Sequence, residues 1–257
     1  MGTYKYDDEF FDYIEIGSRR SASVLTRLLL EQLPIQTVLD VGCGRGVWLD
    51  EWRKQGIDVL GVDGSYVESD KLEVPPELFQ PANLAEPLDL ERKFDLVQSL
   101  EVAEHIPEKY ADTFVKNLIA HGDVIMFSAA PPGQGGEFHV NEQEYSYWRD
   151  RFAQYGYQLY DFIRPQLAKY QEVEPWYRYN TLLFVRANAV QTLPGYIQSA
   201  LSDPYKPVED YAPFSWRIRR AILSQLPNSL VSQIAVVKHA IVLAIHRLKR
   251  SLAIKNR

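Results

Sequence analysis

The sequence predicts an α/β fold in which a doubly wound, mostly parallel sheet carries helices on both faces. Two observations predict it: short apolar runs alternate with amphipathic helical segments, and a glycine-rich turn joins the first run to a helix. A third observation concerns function, because polar motifs follow the ends of several runs. Ligands of such sheets bind beyond the carboxyl ends of the strands, so these motifs are expected to share one site.

The elements alternate in order along the main body of the chain. Apolar spacing predicts helices over residues 21–32, 47–55, 110–120 and 142–155. Short apolar or β-branched runs predict strands at residues 38–41, 59–62, 78–79, 94–99, 123–127, 157–163 and 181–185.

The most informative segment is residues 37–48, which read TVLDVGCGRGVW. An apolar run ends in Gly42, Gly44 and Gly46, whose lack of a Cβ lets a ligand approach the backbone at a helix N-terminus. The order G-x-G-x-G differs from the G-x-G-x-x-G of dinucleotide sites. Together with the internal acid Asp40, this order favours a different nucleoside cofactor.

At this point the chain resembles the class I S-adenosylmethionine-dependent methyltransferases. Asp63 ends the second apolar run, where a carboxylate can accept hydrogen bonds from ribose hydroxyls. Asn83 and Leu84 match the adenine-side loop of that family, and FDLVQSLEVAEHIP, with Leu100 as an implied cofactor contact, matches a fourth motif. The resemblance implies S-adenosyl-L-methionine as cofactor and a seven-stranded sheet whose last strand is antiparallel.

The segment after the fourth strand supplies one candidate acceptor site. Spacing i, i+3 and i+4 is expected to place Glu101, Glu104 and His105 on one face of a helical turn. Three roles are open: a base with orienting acids, a structural cap of the turn, or a partial divalent-metal site. The metal role is the least favoured, and it rests on a similar E-x-x-E-H proposed for quinone O-methyltransferases.

The second candidate acceptor site is supplied by residues 128–148, which read SAAPPGQGGEFHVNEQEYSYW. Its prolines and glycines predict a loop over the strand ends, and its donors and acceptors suit a polyhydroxylated acceptor. The alternative is a well-bonded surface loop in which Asn141 caps the next helix. The candidate acceptor-binding residues, including two from a later segment, are Gln134, Glu137, Asn141, Glu142, Tyr177 and Arg178.

FSAAPPGQGG, HVNEQ and WYRYN resemble a group of bacterial methyltransferases associated with polysaccharide or glycoside biosynthesis. This implies O-methylation of a sugar or glycan. Pro131 departs from the group's A-x-P-G-Q-G-G and leaves the path of the loop in question. His139 is the predicted base and His105 the second candidate, because imidazole titrates near neutral pH. The rival functions are O-methylation of a phenol or quinone and a non-catalytic cofactor-binding subunit.

Charged residues are distributed unevenly between the main body of the chain and its C-terminal part. Residues 1–210 carry 19 basic and 34 acidic residues, whereas residues 211–257 carry nine basic residues and no acid. A methyltransferase domain over 1–200, a proline-rich linker over 201–215 and a basic amphipathic helical tail over 216–257 are therefore predicted. The tail is expected to serve self-association or docking, or to contact a membrane surface, with nucleic acid least favoured.

The sequence also predicts the cellular location of the protein. The single cysteine, Cys43, excludes an internal disulfide and fits a reducing compartment. No signal peptide is visible at the N-terminus. A cytoplasmic protein is expected, with a peripheral position at the inner membrane surface as the alternative. The tail is expected to locate the enzyme and not to take part in methyl transfer.

Overall fold

The computed structural model describes the backbone of residues 8–227 and 230–237, and the side chains of these residues from residue 15 onward. One seven-stranded sheet lies between two layers of helices. The strands are β1 (Thr37–Val41), β2 (Asp58–Asp63), β3 (Phe79–Pro81), β4 (Leu96–Leu100), β5 (Val124–Ser128), β6 (Tyr157–Tyr160) and β7 (Leu182–Arg186). The helices are α1 (Asp8–Leu30), α2 (Val47–Lys54), α3 (Ala111–His121), α4 (Tyr145–Ala153), α5 (Ile163–Leu167), α6 (Pro175–Asn180), α7 (Gly195–Gln198) and α8 (Phe214–Leu223).

The sheet has the order β3-β2-β1-β4-β5-β7-β6. Strands β1 to β5 pair in parallel, and β7 pairs antiparallel with both β5 and β6. The predicted fold class, the number of strands and the antiparallel last strand are therefore confirmed. The chain moves outward from β1 to β3 and then returns to β4, so the strand order reverses between β1 and β4. A crevice at such a switch point is where open α/β sheets bind ligands.

Each face of the sheet has its own apolar core. On one face, Leu25 of α1 and Trp52 of α2 are fully buried against strand residues such as Leu96. On the other face, α3 and α4 bury Phe114 and Trp148. Because β4 lies in the middle of the sheet with helices on both faces, it is buried over its whole length and its polar residues need internal partners.

Several element boundaries differ from the predicted ones. The sixth strand ends at Tyr160 and not at residue 163, because Asp161 forms an ion pair with Arg164 and the chain turns into α5. The helix expected from residue 142 begins at Tyr145 with Glu144 as its N-cap, so Asn141 does not cap it.

The first part of the predicted tail is helical, in α8 and again over residues 230–237. Most of the predicted amphipathic helix, from residue 238 onward, lies outside the described residues. Leu201 forms a β-bridge with Tyr160, and the N–H of Ser202 donates to the carbonyl of Leu159 at 2.9 Å. The predicted linker therefore begins in contact with the sheet. In the described part of the chain, no helix combines the length and apolar character that crossing a membrane requires.

Candidate active site

The glycines of the turn after β1 differ in what surrounds them. Gly42, Gly44 and Gly46 all have positive φ, at 89°, 54° and 86°. A Cβ on Gly42 would lie 2.3 Å from the Val102 side chain, so a larger residue does not fit there. A Cβ on Gly44 would meet no atom within 4 Å. The turn therefore leaves open space at Gly44, where the sequence predicts that the cofactor approaches the backbone.

Asp63, at the end of β2, fastens this turn. One carboxylate oxygen accepts the backbone N–H of Gly44 at 2.7 Å, and the other accepts the N–H of Gly64 at 2.6 Å and the hydroxyl of Tyr66. Burial raises the pKa of Asp63, although these hydrogen bonds oppose the shift. The carboxylate thus lies beside the open space at Gly44, which fits the ribose-binding role predicted for it.

The acid inside the glycine motif is buried beneath the turn. Asp40 is only 3% exposed, and burial raises the pKa of its carboxyl to about 7, with the charge of Asp63 adding to the shift and a hydrogen bond to Gln98 opposing it. Cys43 is also buried, and its sulfur would lie 2.7 Å from a Cβ on Gly61. The cysteine therefore packs under the turn.

The other predicted cofactor residues lie at the same edge of the sheet. The N–H of Ala82 donates to the carbonyl of Asp63 at 2.8 Å, which brings Asn83 and Leu84 next to the end of β2. Leu84 is buried, while the side chain of Asn83 bonds within its own turn, to the N–H of Ala85 and to Glu86. Leu100 is buried at the last position of β4.

Glu101 departs from the predicted helical turn. Its φ is +57°, a left-handed conformation that is uncommon for residues other than glycine, and a single 3₁₀ turn follows at Ala103–His105. Glu101, Glu104 and His105 therefore do not share one helical face. The backbone N–H of Glu101 donates to the carbonyl and hydroxyl oxygens of Ser128, both at 3.0 Å, which fixes the residue against β5.

A three-residue amide and carboxylate network holds the side chain of Glu101. Gln134 donates to one carboxylate oxygen at 2.7 Å and Asn180 donates to the other at 3.1 Å. Asn180 also donates to the amide oxygen of Gln134 at 2.8 Å. Burial raises the pKa of Glu101, and these two amide donors oppose the shift. Sequence reasoning missed Asn180 as a partner of Glu101, because the two lie 79 residues apart.

Glu104 is fully buried, and neither of its carboxylate oxygens has a hydrogen-bond partner among the described residues. Burial raises its pKa well above the usual range, and the charge of Glu101 adds to the shift. Its backbone carbonyl accepts the N–H groups of Val140 and Asn141, at 2.9 and 3.0 Å, and so ties the acceptor loop to the 3₁₀ turn. Ligand atoms of Glu104, His105 and His139 lie within 4.8 Å of one another, a spacing that a metal ion would fit.

His139 faces His105, with ring centroids 4.9 Å apart, and its Nδ1 lies 2.7 Å from a carboxylate oxygen of Glu142. The same carboxylate accepts the backbone N–H groups of Gly133 and Gly135, at 2.7 and 2.8 Å. Glu142 therefore both shapes the glycine-rich loop and orients the His139 ring.

The remaining predicted acceptor residues have different surroundings. Glu137 and Asn141 are buried in the loop, and the amide oxygen of Asn141 accepts from Gln143. Tyr177 lies in the core, where its ring contacts Trp48. The Arg178 guanidinium donates to the carbonyls of residues 171 and 173 and to the Gln171 side chain, so its donors are used within its own loop.

The predicted tail packs on the acceptor loop. Arg219 of α8 donates to the carbonyl of Gln134 at 3.1 Å, and a Cβ on Gly133 would lie 2.0 Å from the carbonyl oxygen of Arg220. Val231 contacts the loop at Gly135. A cavity of about 230 Å³ lies between the loop and this segment, lined by residues that include Asn141 and Glu142. The contrast between the basic tail and the acidic main body is the sequence signal for docking, but it does not indicate that the acceptor loop is the segment contacted.

The comparisons with known proteins agree with the fold and the cofactor motifs. A family model described as "Methyltransferase domain" matches residues 13–167, so the chain belongs to this methyltransferase family. The expected S-adenosylmethionine-dependent class is thereby confirmed, with S-adenosylmethionine as its cofactor. The open space at Gly44 and the carboxylate of Asp63 fit that assignment.

Curated relatives match over a shorter stretch. The chain is 34% identical over 92 residues to a ubiquinone biosynthesis O-methyltransferase of Acinetobacter baylyi, which covers 31% of this chain and 39% of the relative. A ubiquinone biosynthesis O-methyltransferase of Pasteurella multocida is 28% identical over 108 residues, 35% of this chain and 45% of the relative. The chain thus spans less than half the length of these relatives.

Among solved structures, the magnesium protoporphyrin IX methyltransferase of Synechocystis PCC 6803 with bound S-adenosylmethionine has the same fold. The TM-score is 0.51 at 20% identity, over 72% of this chain and 87% of the other.

Proposed function

We propose that the protein transfers a methyl group from S-adenosylmethionine to a hydroxyl oxygen of a sugar or glycan. The observation that carries the proposal is the pairing of His139 with Glu142 on a loop tied to the end of β4. The bonding of this loop to the turn after β4 supports a position for the oriented imidazole near the cofactor motifs. The arrangement suits removal of a proton from an acceptor hydroxyl during methyl transfer.

The cofactor supplies an electrophilic methyl group on its sulfonium, so the protein has to position the acceptor and accept a proton. We assign the cofactor side to Asp63 and the open turn at Gly44, with Asp40 beneath them. Placement of the acceptor oxygen in line with the methyl group contributes on the order of 7–11 kcal/mol in well-oriented reactions. Glu101, fixed by Gln134 and Asn180, is the rigid carboxylate available for that placement.

The base is His139. Its Nδ1 is bonded to Glu142, and the tautomer that donates from Nδ1 leaves Nε2 to accept the hydroxyl proton. A sugar hydroxyl is weakly acidic, so its proton leaves as the methyl group is transferred and not before.

The polar character of the site supports a hydroxylated acceptor. Among the described residues, the buried carboxylate oxygens of Glu104 and the buried amide nitrogen of Asn141 have no hydrogen-bond partner. Buried groups of this kind discriminate strongly between acceptors that satisfy their hydrogen bonds and acceptors that do not. An acceptor rich in hydroxyl groups satisfies more of them than an apolar ring.

A phenol or quinol is the second candidate acceptor, and two observations favour it. The curated relatives are named ubiquinone biosynthesis O-methyltransferases, and Glu104, His105 and His139 have the spacing of a partial cation site. A divalent cation there would lower the pKa of a phenolic hydroxyl and replace His139 as the activating group.

Separate substitutions of His139 and His105 test the assignment. With a nucleotide sugar or lipid-linked glycan as acceptor, His139→Gln should lower turnover roughly 10²–10⁴-fold, whereas His105→Gln serves as the matched control. Calorimetric titration with S-adenosylmethionine should give nearly unchanged affinity for both variants. Full turnover in both variants would show that no histidine base is needed. Activity on phenols only, lost with a chelator and restored by Mg²⁺, would favour the second candidate.

A further inference from the structure

Helix α8 turns an apolar stripe away from the rest of the molecule. Phe214, Ile218 and Ile222 follow one another at i, i+4 and i+8 and are 75%, 45% and 62% exposed. The opposite side of α8 carries Trp216 and Leu223, which are less exposed. Leu223 lines the cavity at the acceptor loop, and the Trp216 ring contacts Tyr179 of α6. The helix is therefore docked by one side and uncovered on the other.

The helical segment at residues 230–237 repeats this arrangement. Leu230, Ile234 and Val237 follow at i, i+4 and i+7 and are exposed, while Val231 is buried against Gly135. The stripe of Phe214, Ile218, Ile222, Leu230, Ile234 and Val237 is called the outer face below. An exposed apolar set of this kind is unusual on a protein that meets only water.

The segment that contains the outer face carries charge of only one sign in the sequence. Residues 211–257 contain nine basic residues and no acidic one. Arg220 and Arg217 both form ion pairs with Asp210, but the Arg217 contact is long, at 3.9 Å, and its side chain stays more than half exposed beside the apolar stripe. The outer face therefore combines apolar side chains with a basic flank at Arg217, in a segment that has no acidic residue.

A lipid surface with anionic headgroups matches this combination. An amphipathic helix in the interface buries its apolar side chains at the acyl boundary while arginine and lysine meet the phosphates. The acidic body of a second copy would attract the basic flanks, but it would leave the apolar stripe against a charged surface. The chemistry of the face therefore favours a bilayer over a second copy of the chain.

We propose that the outer face docks the protein on an anionic membrane surface. Because the inner side of α8 and Val231 border the cavity beside Asn141 and Glu142, docking brings that cavity next to the lipid headgroups. One consequence rests on the proposed function, namely that the acceptor sugar is carried on a lipid. Membrane docking itself does not depend on it.

Vesicle sedimentation of the full chain tests the proposal without measuring methyl transfer. The unaltered protein should bind vesicles made of equal parts phosphatidylglycerol and phosphatidylcholine, and bind weakly to pure phosphatidylcholine or at high salt. Phe214→Ser, Ile218→Ser and Ile222→Ser combined should weaken binding at least roughly tenfold. Arg217→Glu alone should weaken it by roughly tenfold, because the change reverses one charge at the surface.

Ile16→Ser combined with Tyr196→Ser is the matched control, since both side chains are about half exposed on other elements. The control should bind vesicles like the unaltered protein, and calorimetry should show full S-adenosylmethionine affinity in every variant. Vesicle binding that survives both α8 variants would overturn the proposal. So would unaltered protein that ignores anionic vesicles but forms a dimer that the triple variant abolishes in light scattering. Arg217→Glu keeps the test decisive if the triple variant does not fold.

Discussion

The cofactor side and the acceptor side of the site are built in different ways. On the cofactor side, Gly44 and Asp63 are 19 residues apart and are joined through the backbone of a turn. On the acceptor side, the contacts join residues 33, 79 and 85 positions apart, from the Gln134 and Asn180 side chains to the Glu101 carboxylate and from the Arg219 side chain to the carbonyl of Gln134. A site made of backbone in adjacent elements leaves a motif in the sequence, whereas a site assembled from distant side chains does not.

The cofactor side and the acceptor side are also expected to respond differently to amino-acid substitutions. Gly42 and Gly44 have backbone conformations that larger residues rarely adopt, so we expect single substitutions there to act directly on cofactor binding. Acceptor-side residues hold one another through hydrogen bonds, so a substitution acts by moving its neighbours. Substitutions on each side should distinguish direct loss of cofactor binding from loss of activity through displaced neighbours.

The largest expected effect is loss of cofactor binding in Gly44→Val. The valine side chain would fill the open space that the turn leaves, and its φ of +54° adds strain. Gly56→Val is the matched control, because Gly56 has a φ of +81° and equally open surroundings but lies outside the site. Calorimetry should detect no S-adenosylmethionine binding in the first variant and normal binding in the second.

Thermal melting should show a similar fall in melting temperature for Gly44→Val and Gly56→Val, because both carry similar backbone strain. A difference in cofactor affinity between them is then not due to unfolding. The milder Gly44→Ala serves if the valine variant is too unstable to purify. Normal affinity in folded Gly44→Val would mean that the turn is only structural, and the cofactor would have to bind elsewhere.

A smaller effect is expected from Gly136→Ala on the acceptor side. A Cβ at this position would lie 2.1 Å from Nε2 of His139, so the ring has to move. Displacement of a catalytic group by about 1 Å costs on the order of a hundredfold in rate. Turnover should fall by about that factor while cofactor affinity stays normal. Gly195→Ala is the control, because a Cβ there meets no atom within 4 Å. Unchanged turnover in Gly136→Ala would remove His139 from its assigned role.

The same contrast explains what could be predicted from the sequence. The strands around β1 and the glycine turn followed from apolar runs and from glycines, because both signals are local, whereas the seven-stranded sheet followed from the family resemblance. The partners of Glu101 and the packing of α8 on the loop did not follow, because they depend on which distant segments the fold brings together. The left-handed backbone of Glu101 was missed for the same reason, since Ser128 fixes it from another strand.

The helical face predicted for Glu101, Glu104 and His105 shows how a spacing argument fails. Spacing i, i+3 and i+4 groups side chains only if the backbone is helical, and Glu101 precedes the 3₁₀ turn in a left-handed conformation. His105 meets His139 through the acceptor loop instead. The two histidines are therefore brought together by the loop and not by a shared helical face.

The smallest expected effect is a pH dependence of cofactor affinity. The pKa of Asp40 is raised to about 7, chiefly by burial, so near neutral pH a large fraction of the carboxyl is protonated before the cofactor binds. A cationic cofactor favours the ionised form, which lowers this pKa and releases a proton. Affinity should therefore rise with pH, by at most about tenfold per pH unit below 7, and level off above it.

Calorimetry in phosphate and in Tris at neutral pH measures the proton released when the cofactor binds. Proton release makes the observed binding enthalpy depend on the ionisation enthalpy of the buffer. Asp40→Asn should reduce that dependence and flatten the pH profile, while Asp63, whose pKa is also raised by burial, retains a share of it. Glu142→Gln is the acceptor-side control, since Glu142 is bonded within the loop and should not alter proton release on cofactor binding. Equal enthalpies in the two buffers for the unaltered protein would mean that Asp40 is already ionised in the free site. The buried acid would then act only as a fixed charge beneath the turn.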